Sequence, residues 1–286
     1  MAGLNGIKLI SLDLDDTLLR SDLTISLKTR SVLKKAAAKG VAITINTGRV
    51  LSGVKKPLRA LGLNKTKGYA VCGNGTIIYE SDTARPIYET KLDAKTALTA
   101  FNMVDAEGFP VLIYEHDVTY VSFQNEFADI DEKLTGIKQI VPPDFRDLLR
   151  RGTYKLVIPA SPHFIGDIQT ILAGMLGETA TLFTSKPYYL EILPPGVNKG
   201  SGLAKVAEML GIKREEVMAF GDSMNDEAMV KWAGCGVAML NGEDRIKKIA
   251  RFVTPASNNN DGVAAVVERY LLKGEALPPP VNAGST

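Results

Sequence analysis

The stretch Leu9–Leu19, LISLDLDDTLL, runs from apolar residues into Asp13, Asp15 and Asp16. An apolar run of this length reads as a buried strand. Three carboxylates crowded at its end repel one another. Asp13 and Asp15, at i and i+2, share a face while the chain stays extended. A turn aspartate would explain one such residue. It does not explain the set, because a second acidic cluster, Asp222 and Asp226, lies in GDSMND.

The residues around this stretch alternate in the same way. IKLISLDLD, VAITIN and GYAVCGNG read as buried strands. SLKTRSVLKKAAAKG reads as a helix, with Ser26 as its N-cap and Gly40 as its stop. LSGVKKPLRALGL is a weaker helix in which Pro57 should lie near an end or a kink. Short buried strands alternating with helices imply a parallel sheet. The pattern changes after Gly75. TIIYESDTARPIYETKL reads as a β-hairpin, and paired strands with interspersed helices then continue to about Leu190. From Asn198 the βα alternation resumes, through KGSGLAKVAEMLGI, EVMAFGD, NDEAMVKWAG, CGVAM, RFVT and DGVAAVVERYLL. The middle segment therefore reads as an insertion into one open parallel sheet.

The chain has 286 residues, 45% hydrophobic and 23% charged, which suits one or two globular domains with a sizeable core. A formal net charge of +2 leaves no electrostatic footprint for nucleic acid or an anionic membrane. The two cysteines, Cys72 and Cys235, are far apart and have no histidine nearby. That argues against a disulfide framework and a thiol nucleophile, and fits a reducing, cytoplasmic compartment. The start, MAGLNGIKLI, lacks a signal-peptide pattern, and no run is apolar enough to span a bilayer. EALPPPVNAGST reads as a disordered tail.

Ligands of open parallel sheets bind outside the carboxyl ends of the strands. Four such tips carry DLDDT, NTGR, GNG and GDSMND. Converging carboxylates call for a cation, and an all-oxygen site without histidine suits Mg²⁺ better than Zn²⁺. Mg²⁺ is commonly completed by substrate phosphate, so the set points to phosphate chemistry. Asp13 is placed to attack, and Asp15 to donate and accept a proton. Thr47 supplies a hydroxyl, and Lys199 a cation at a helix N-terminus.

These motifs resemble the haloacid dehalogenase (HAD) superfamily of aspartate-nucleophile phosphatases. More narrowly, they resemble its Cof-type sugar-phosphate phosphatases with a C2-type α/β cap. Asp13–Leu18 resembles the first motif, Asn46–Arg49 the second, Lys199 the third and Gly221–Met229 the fourth. Cys72–Glu80 and Asn258–Val267 are similar to further Cof-type stretches. Two residues depart from the pattern. Asp16 stands where the wider superfamily often has glycine, and Ser223 where the Cof-type group often does.

The resemblance implies a Rossmann-like open parallel sheet core with helices on both faces, at 1–84 and 191–272. It places an inserted α+β cap at 85–190 and leaves the tail at 273–286. It implies Asp13, Asp15, Thr47 and Lys199 as catalytic residues, and Asp13, Asp15 (through its carbonyl) and Asp222 as ligands of Mg²⁺. Thr17, Gly48, Arg49, Asn74, Asn225 and Asp226 would touch substrate or support the site. For Arg49, a structural ion pair is the favoured reading. His116 and His163 read as isolated histidines, and Tyr114, Tyr120 and Phe123 as cap core. Lys186, Tyr188 and Glu191 are candidates to face the substrate.

The expected function is Mg-dependent hydrolysis of small phosphorylated metabolites, sugar phosphates foremost, through an aspartyl-phosphate. A phosphomutase or a non-catalytic phospho-sugar-binding protein are the alternatives. A signalling receiver domain is disfavoured by Asp15 and by the large insertion. The expected partner is a small-molecule phosphate ester, with no nucleic acid and no membrane, for a monomer or weak homo-oligomer in the cytoplasm.

Overall fold

The structure is a computed structural model and describes residues 6–276. The expected tail at 273–286 lies outside the described residues from 277 onward, as do the first five residues of the start.

The chain opens with β1 (Leu9–Leu12), α1 (Leu27–Ala38), β2 (Ala42–Asn46), α2 (Leu51–Leu61) and β3 (Tyr69–Cys72), then the hairpin β4 (Ile77–Glu80) and β5 (Pro86–Glu89). A second set follows: α3 (Ala94–Ala106), β6 (Leu112–Glu115), β7 (Val118–Val121), α4 (Glu126–Thr135), β8 (Gln139–Ile140), α5 (Phe145–Leu149), β9 (Leu156–Pro159), α6 (Pro162–Leu176), β10 (Thr181–Lys186) and β11 (Tyr189–Leu193). The chain closes with α7 (Lys199–Leu210), β12 (Val217–Gly221), α8 (Glu227–Trp232), β13 (Cys235–Ala238), α9 (Asp244–Ile249), β14 (Phe252–Val253) and α10 (Gly262–Val266).

The first sheet has the order β14-β13-β12-β1-β2-β3-β4-β5. Pairing is parallel from β14 to β3, and antiparallel through β4 and β5. The second sheet has the order β10-β11-β9-β6-β7-β8, and its pairings are antiparallel except β7 with β8. The boundaries expected at 84/85 and 190/191 cut through these sheets. β5 belongs to the first sheet, and β11 to the second as far as Leu193. The hairpin read from TIIYESDTARPIYETKL forms across the first boundary, and its pairing with β3 carries the core sheet to Glu89.

Alternation along β1 explains the layers. Ile10 and Leu12 pack with Val32, Leu33, Val54 and Leu58 of α1 and α2. Leu9 packs on the opposite face with Leu203 and Val206 of α7 and Met229 of α8. A strand covered on both faces has no polar face, which is why Leu9–Leu12 is wholly buried. Pro57 sits inside α2 rather than at its end. Its ring lies on the buried face with Val54, Leu58 and Leu61, and that burial outweighs one missing helical hydrogen bond.

The second sheet has two unlike faces. Leu156, Ile158, Leu190 and Ile192 point to a core formed with α3, α5 and α6. The alternate residues Val157 and Tyr189 pack with Tyr114 and with Val50 of the core domain. This face, carrying Lys155 and Glu191 as well, looks toward the tips of the first sheet.

Candidate active site

The four expected tips converge. Asp13 follows β1 directly, and Lys199 opens α7, whose N-terminus is fixed by Asn198. The Asn198 side chain accepts from the Ser201 N–H while the Ser201 hydroxyl accepts from the Asn198 N–H. Lys199 Nζ lies 2.6 Å from Asp13 Oδ1 and 2.6 Å from Asp226 Oδ1, and all three side chains are buried. Burial alone would depress the Lys199 ammonium. The carboxylates of Asp13 and Asp226 outweigh it and hold the group above its ordinary value.

Asp226 is fully engaged. Its Oδ2 accepts from the backbone N–H groups of Asp222 and Ser223, at 2.9 and 3.1 Å. It therefore pins the GDSMND loop and the lysine together. Asp222 accepts the Thr17 hydroxyl at 2.8 Å. Asn46 Nδ2 donates to the Lys199 carbonyl at 2.8 Å, tying the second tip to α7. Thr47 is buried at the same tip, where its hydroxyl accepts from the Arg49 N–H at 3.2 Å.

Asp13, Asp222 and Asp226 bring carboxylate oxygens within 4.8 Å of one another. One lysine faces three carboxylates, and two of them are pushed toward the protonated form. Burial, and then Asp226, pushes the Asp13 carboxyl well above its usual range. The same two causes push Asp222 up to about 7. A divalent cation among these oxygens would supply the missing positive charge, and an all-oxygen donor set is the kind such hard ions take. The residues thus fit a divalent metal. Asp226 is the least available to hold it, since one oxygen is spent on Lys199 and the other on the loop, whereas Asp13 gives only Oδ1 to Lys199 and Asp222 only Oδ1 to Thr17.

Asp15 and Arg49 form a two-pronged ion pair, Nε to Oδ2 at 2.8 Å and Nη2 to Oδ1. This is the structural pairing expected of Arg49, and its partner is the residue expected to move the proton. Asp16 has φ +58°, and its carbonyl accepts from Asn241 at 2.7 Å. A left-handed turn here accounts for the glycine that the wider superfamily carries at this position, and aspartate is among the residues that tolerate it.

Asn74 also lies in the left-handed region, with φ +59°. It is buried, donates to Glu191 Oε2 at 2.9 Å, and accepts from Asn225 at 3.3 Å. Lys155 Nζ completes the link to the second domain, at 3.1 Å from Glu191 Oε2 and 3.2 Å from the Gly48 carbonyl. A Cβ at Gly48 would stand 3.0 Å from the Asn74 amide, so a larger residue there would have to push that side chain aside by a few tenths of an ångström.

A cavity of about 450 Å³ opens between the two domains. Asp13, Asp15, Thr47 and Asp222 line one side, and Tyr114, Asp131, Lys155, Lys186, Tyr189 and Glu191 the other. Of the cap candidates, Lys186 and Glu191 face the cavity, while Tyr188 does not line it and its neighbour Tyr189 does. Tyr114, read as core, is buried yet lines the cavity and donates to Asp131 Oδ1 at 2.8 Å. Lys155, Asp131 and Arg20 carried no motif in the sequence. The one available signal was a lysine in the otherwise apolar run TYKLVIPA. His116 contacts the Tyr79 hydroxyl at 3.1 Å. The cysteines are buried; Cys235 is pushed up to about 12 and Cys72 higher still, first by burial, as befits inert core thiols.

The sequence pattern of the haloacid dehalogenase-like hydrolases matches residues 10–267. The chain belongs to that family. It is a hydrolase of the phosphoric monoester class. This haloacid dehalogenase-like hydrolase is 30% identical over 280 residues to the 5-amino-6-(5-phospho-D-ribitylamino)uracil phosphatase YcsE of Bacillus subtilis (strain 168), covering 93% of this chain and 96% of that protein. It is 28% identical over 290 residues to phosphatase YwpJ of the same organism, covering 92% of this chain and all of that one. A crystal structure of a haloacid dehalogenase-like hydrolase from Bacteroides thetaiotaomicron superposes with a TM-score of 0.83 at 29% identity, over 92% of this chain and 99% of the other. Among the described residues, no helix is long and apolar enough to cross a membrane.

Proposed function

We propose that this hydrolase is a Mg²⁺-dependent phosphatase of small phosphorylated metabolites, sugar and polyol phosphates foremost, working through an aspartyl-phosphate on Asp13. The observation that carries this reading is the placement of Asp13. It sits at a buried strand tip, held by Lys199 at 2.6 Å, on the wall of an interdomain cavity shared with Asp15, Thr47 and Asp222. A carboxylate so placed can attack phosphorus, and the bond from phosphorus to the leaving oxygen breaks. Asp15 gives its proton to that oxygen. It then takes a proton from water as the water attacks phosphorus and releases Asp13. Lys199 and the Thr47 hydroxyl meet the charge on the transferring group. Arg49 positions Asp15 and must give up part of that pair when Asp15 moves a proton. Bound Mg²⁺, held by Asp13 and Asp222 and the Asp15 carbonyl, would neutralise phosphoryl charge.

The cavity, bounded by the second domain, suits a small ester rather than a polymer, and one relative, YcsE, is named for a phosphorylated ribityl compound. The test is a panel of phosphate monoesters with MgCl₂, read as inorganic phosphate released. Phosphate from sugar or polyol phosphates, lost with a chelator, is the expected result; no phosphate from any member would reject the reading. Isomer formed in place of phosphate would make it a phosphomutase. Asp13→Asn is expected to lower kcat at least about a thousandfold with the unfolding transition kept, and an active variant would reject Asp13 as nucleophile.

A further inference from the structure

Five cationic side chains line the interdomain cavity, and three of them are spoken for. Arg49 pairs with Asp15, Lys155 with Glu191 at 3.1 Å, and Arg20 with Asp261 at 3.2 Å. Lys133 and Lys186 have no ion pair or hydrogen bond among the described residues. Both come from the cap, Lys133 from the last turn of α4 and Lys186 from the end of β10. Of the two cap acids in the cavity, Glu191 holds Lys155 and Asn74, while Asp131 takes the Tyr114 hydroxyl on Oδ1 and keeps Oδ2 buried and without a partner, so three cap lysines face two cap carboxylates.

The backbone is bent to bring Lys186 there. Thr184 pairs with Leu190 and Lys186 with Tyr189, so Ser185 is an extra residue in β10. In a regular strand, Ser185 and Lys186 would point to opposite faces. With the bulge, both residues line the cavity. Bulges of this kind re-aim side chains at functional sites.

We propose that Lys133 and Lys186 are specificity-determining residues that receive a second anionic group, a carboxylate or a phosphate, on the leaving group of the ester. The reacting phosphoryl group would have its own positive charge at the opposite wall, from Lys199 behind Asp13 and from a metal held by Asp13 and Asp222. The free lysines therefore answer a charge at the other end of the substrate. This rests on the phosphatase reading and names its substrate class: phosphate monoesters with an anionic tail.

Three open-chain esters that differ only at the far end test it: sorbitol 6-phosphate, 6-phosphogluconate and sorbitol 1,6-bisphosphate. Each is titrated against p-nitrophenyl phosphate turnover for its inhibition constant. Each is also titrated against the unfolding midpoint with Mg²⁺, a binding readout that needs no turnover. The wild type is expected to bind one or both of the anion-tailed esters more tightly than sorbitol 6-phosphate, by on the order of tenfold. Whichever gains identifies the carboxylate or the phosphate as the tail. The double variant Lys133→Ala, Lys186→Ala is expected to abolish that preference, leaving p-nitrophenyl phosphate turnover and sorbitol 6-phosphate binding within about twofold. Equal midpoint shifts by all three esters on the wild type would overturn the proposal, as would an equal loss for all three in the variant. Failure to hydrolyse any ester rejects the phosphatase reading alone, since the midpoint shifts still read the lysines.

Discussion

Lys199 shows how much a single residue carries here. It is 1% exposed, and its ammonium is the shared partner of Asp13 and Asp226. A buried charge whose partner is removed costs more than the pair contributed. Lys199→Met leaves two buried carboxylates without a cation, and is expected to lower the free energy of unfolding by about 3–5 kcal/mol and to abolish turnover. Urea unfolding with and without Mg²⁺ measures it; an unchanged midpoint would show that the carboxylates do not depend on the lysine. Asp16 teaches the opposite lesson. Its place among the carboxylates leaves its role open in the sequence, and its positive φ makes it a turn residue, with its side chain exposed.

Elements position these residues through close approaches that only small residues permit. A Cβ added at Gly200 would stand 2.6 Å from the Ala228 carbonyl, so α7 and α8 touch backbone to backbone beside Lys199. Gly200→Ala is expected to cost about 1–3 kcal/mol and to lower kcat by shifting Lys199. A thermal midpoint equal to the wild type would contradict the close packing. At the N-terminus of α1, Asp261 accepts from the Ser26 and Thr29 hydroxyls and pairs with Arg20. Burial alone would raise the Asp261 carboxyl. The hydrogen bonds from Ser26 and Thr29 and the charge of Arg20 outweigh it and hold the group below its ordinary value. A lowered folded pKa adds stability above the unfolded carboxylate value of about 3.9, and that stability is lost as pH falls through the folded value. Asp261→Asn should therefore unfold more easily than the wild type at pH 7, with the gap closing below about pH 3.9. A gap that persists undiminished at low pH would exclude the carboxylate as its source.

At the scale of the molecule, the two domains are locked by a buried polar link. Lys155 and Glu191, each 7% exposed, reach from the cap to the Gly48 carbonyl and to Asn74. Asn74 passes the link on to Asn225, beside the acidic loop. The link ties the cap to the strand tips beside Thr47 and Asp222, and a cap held over the cavity would keep water from it. Lys155→Met leaves Glu191 buried without its cation. The variant is expected to loosen the cap, giving faster amide exchange in β9 and β11 and a kcat/KM reduced at least tenfold, while exchange in β1 and β12 holds. Uniform acceleration across both domains would mean that the link stabilises the whole fold rather than the closed cap.

The catalytic strand tips were legible because their signal is local. A buried strand reads as an apolar run, its tip follows at once, and the residues that hold a phosphoryl group must cluster in short motifs at those tips. Asp13, Asp15, Thr47, Lys199 and Asp222 could thus be placed together before any coordinates. The cap face was legible only in part: Lys186 and Glu191 stood out where the cap returns to the core, but Lys155 and Asp131 did not, because what unites the four is the side of the cap that looks toward the core. That face is fixed by strand register and by a bulge at Ser185, neither of which leaves a mark on composition or periodicity. The sequence alone pointed to phosphate-ester hydrolysis, since that chemistry sits in a few short motifs at strand tips. Tertiary structure alone decided the shape and charge of the leaving-group end, because that surface exists only once distant strands have paired.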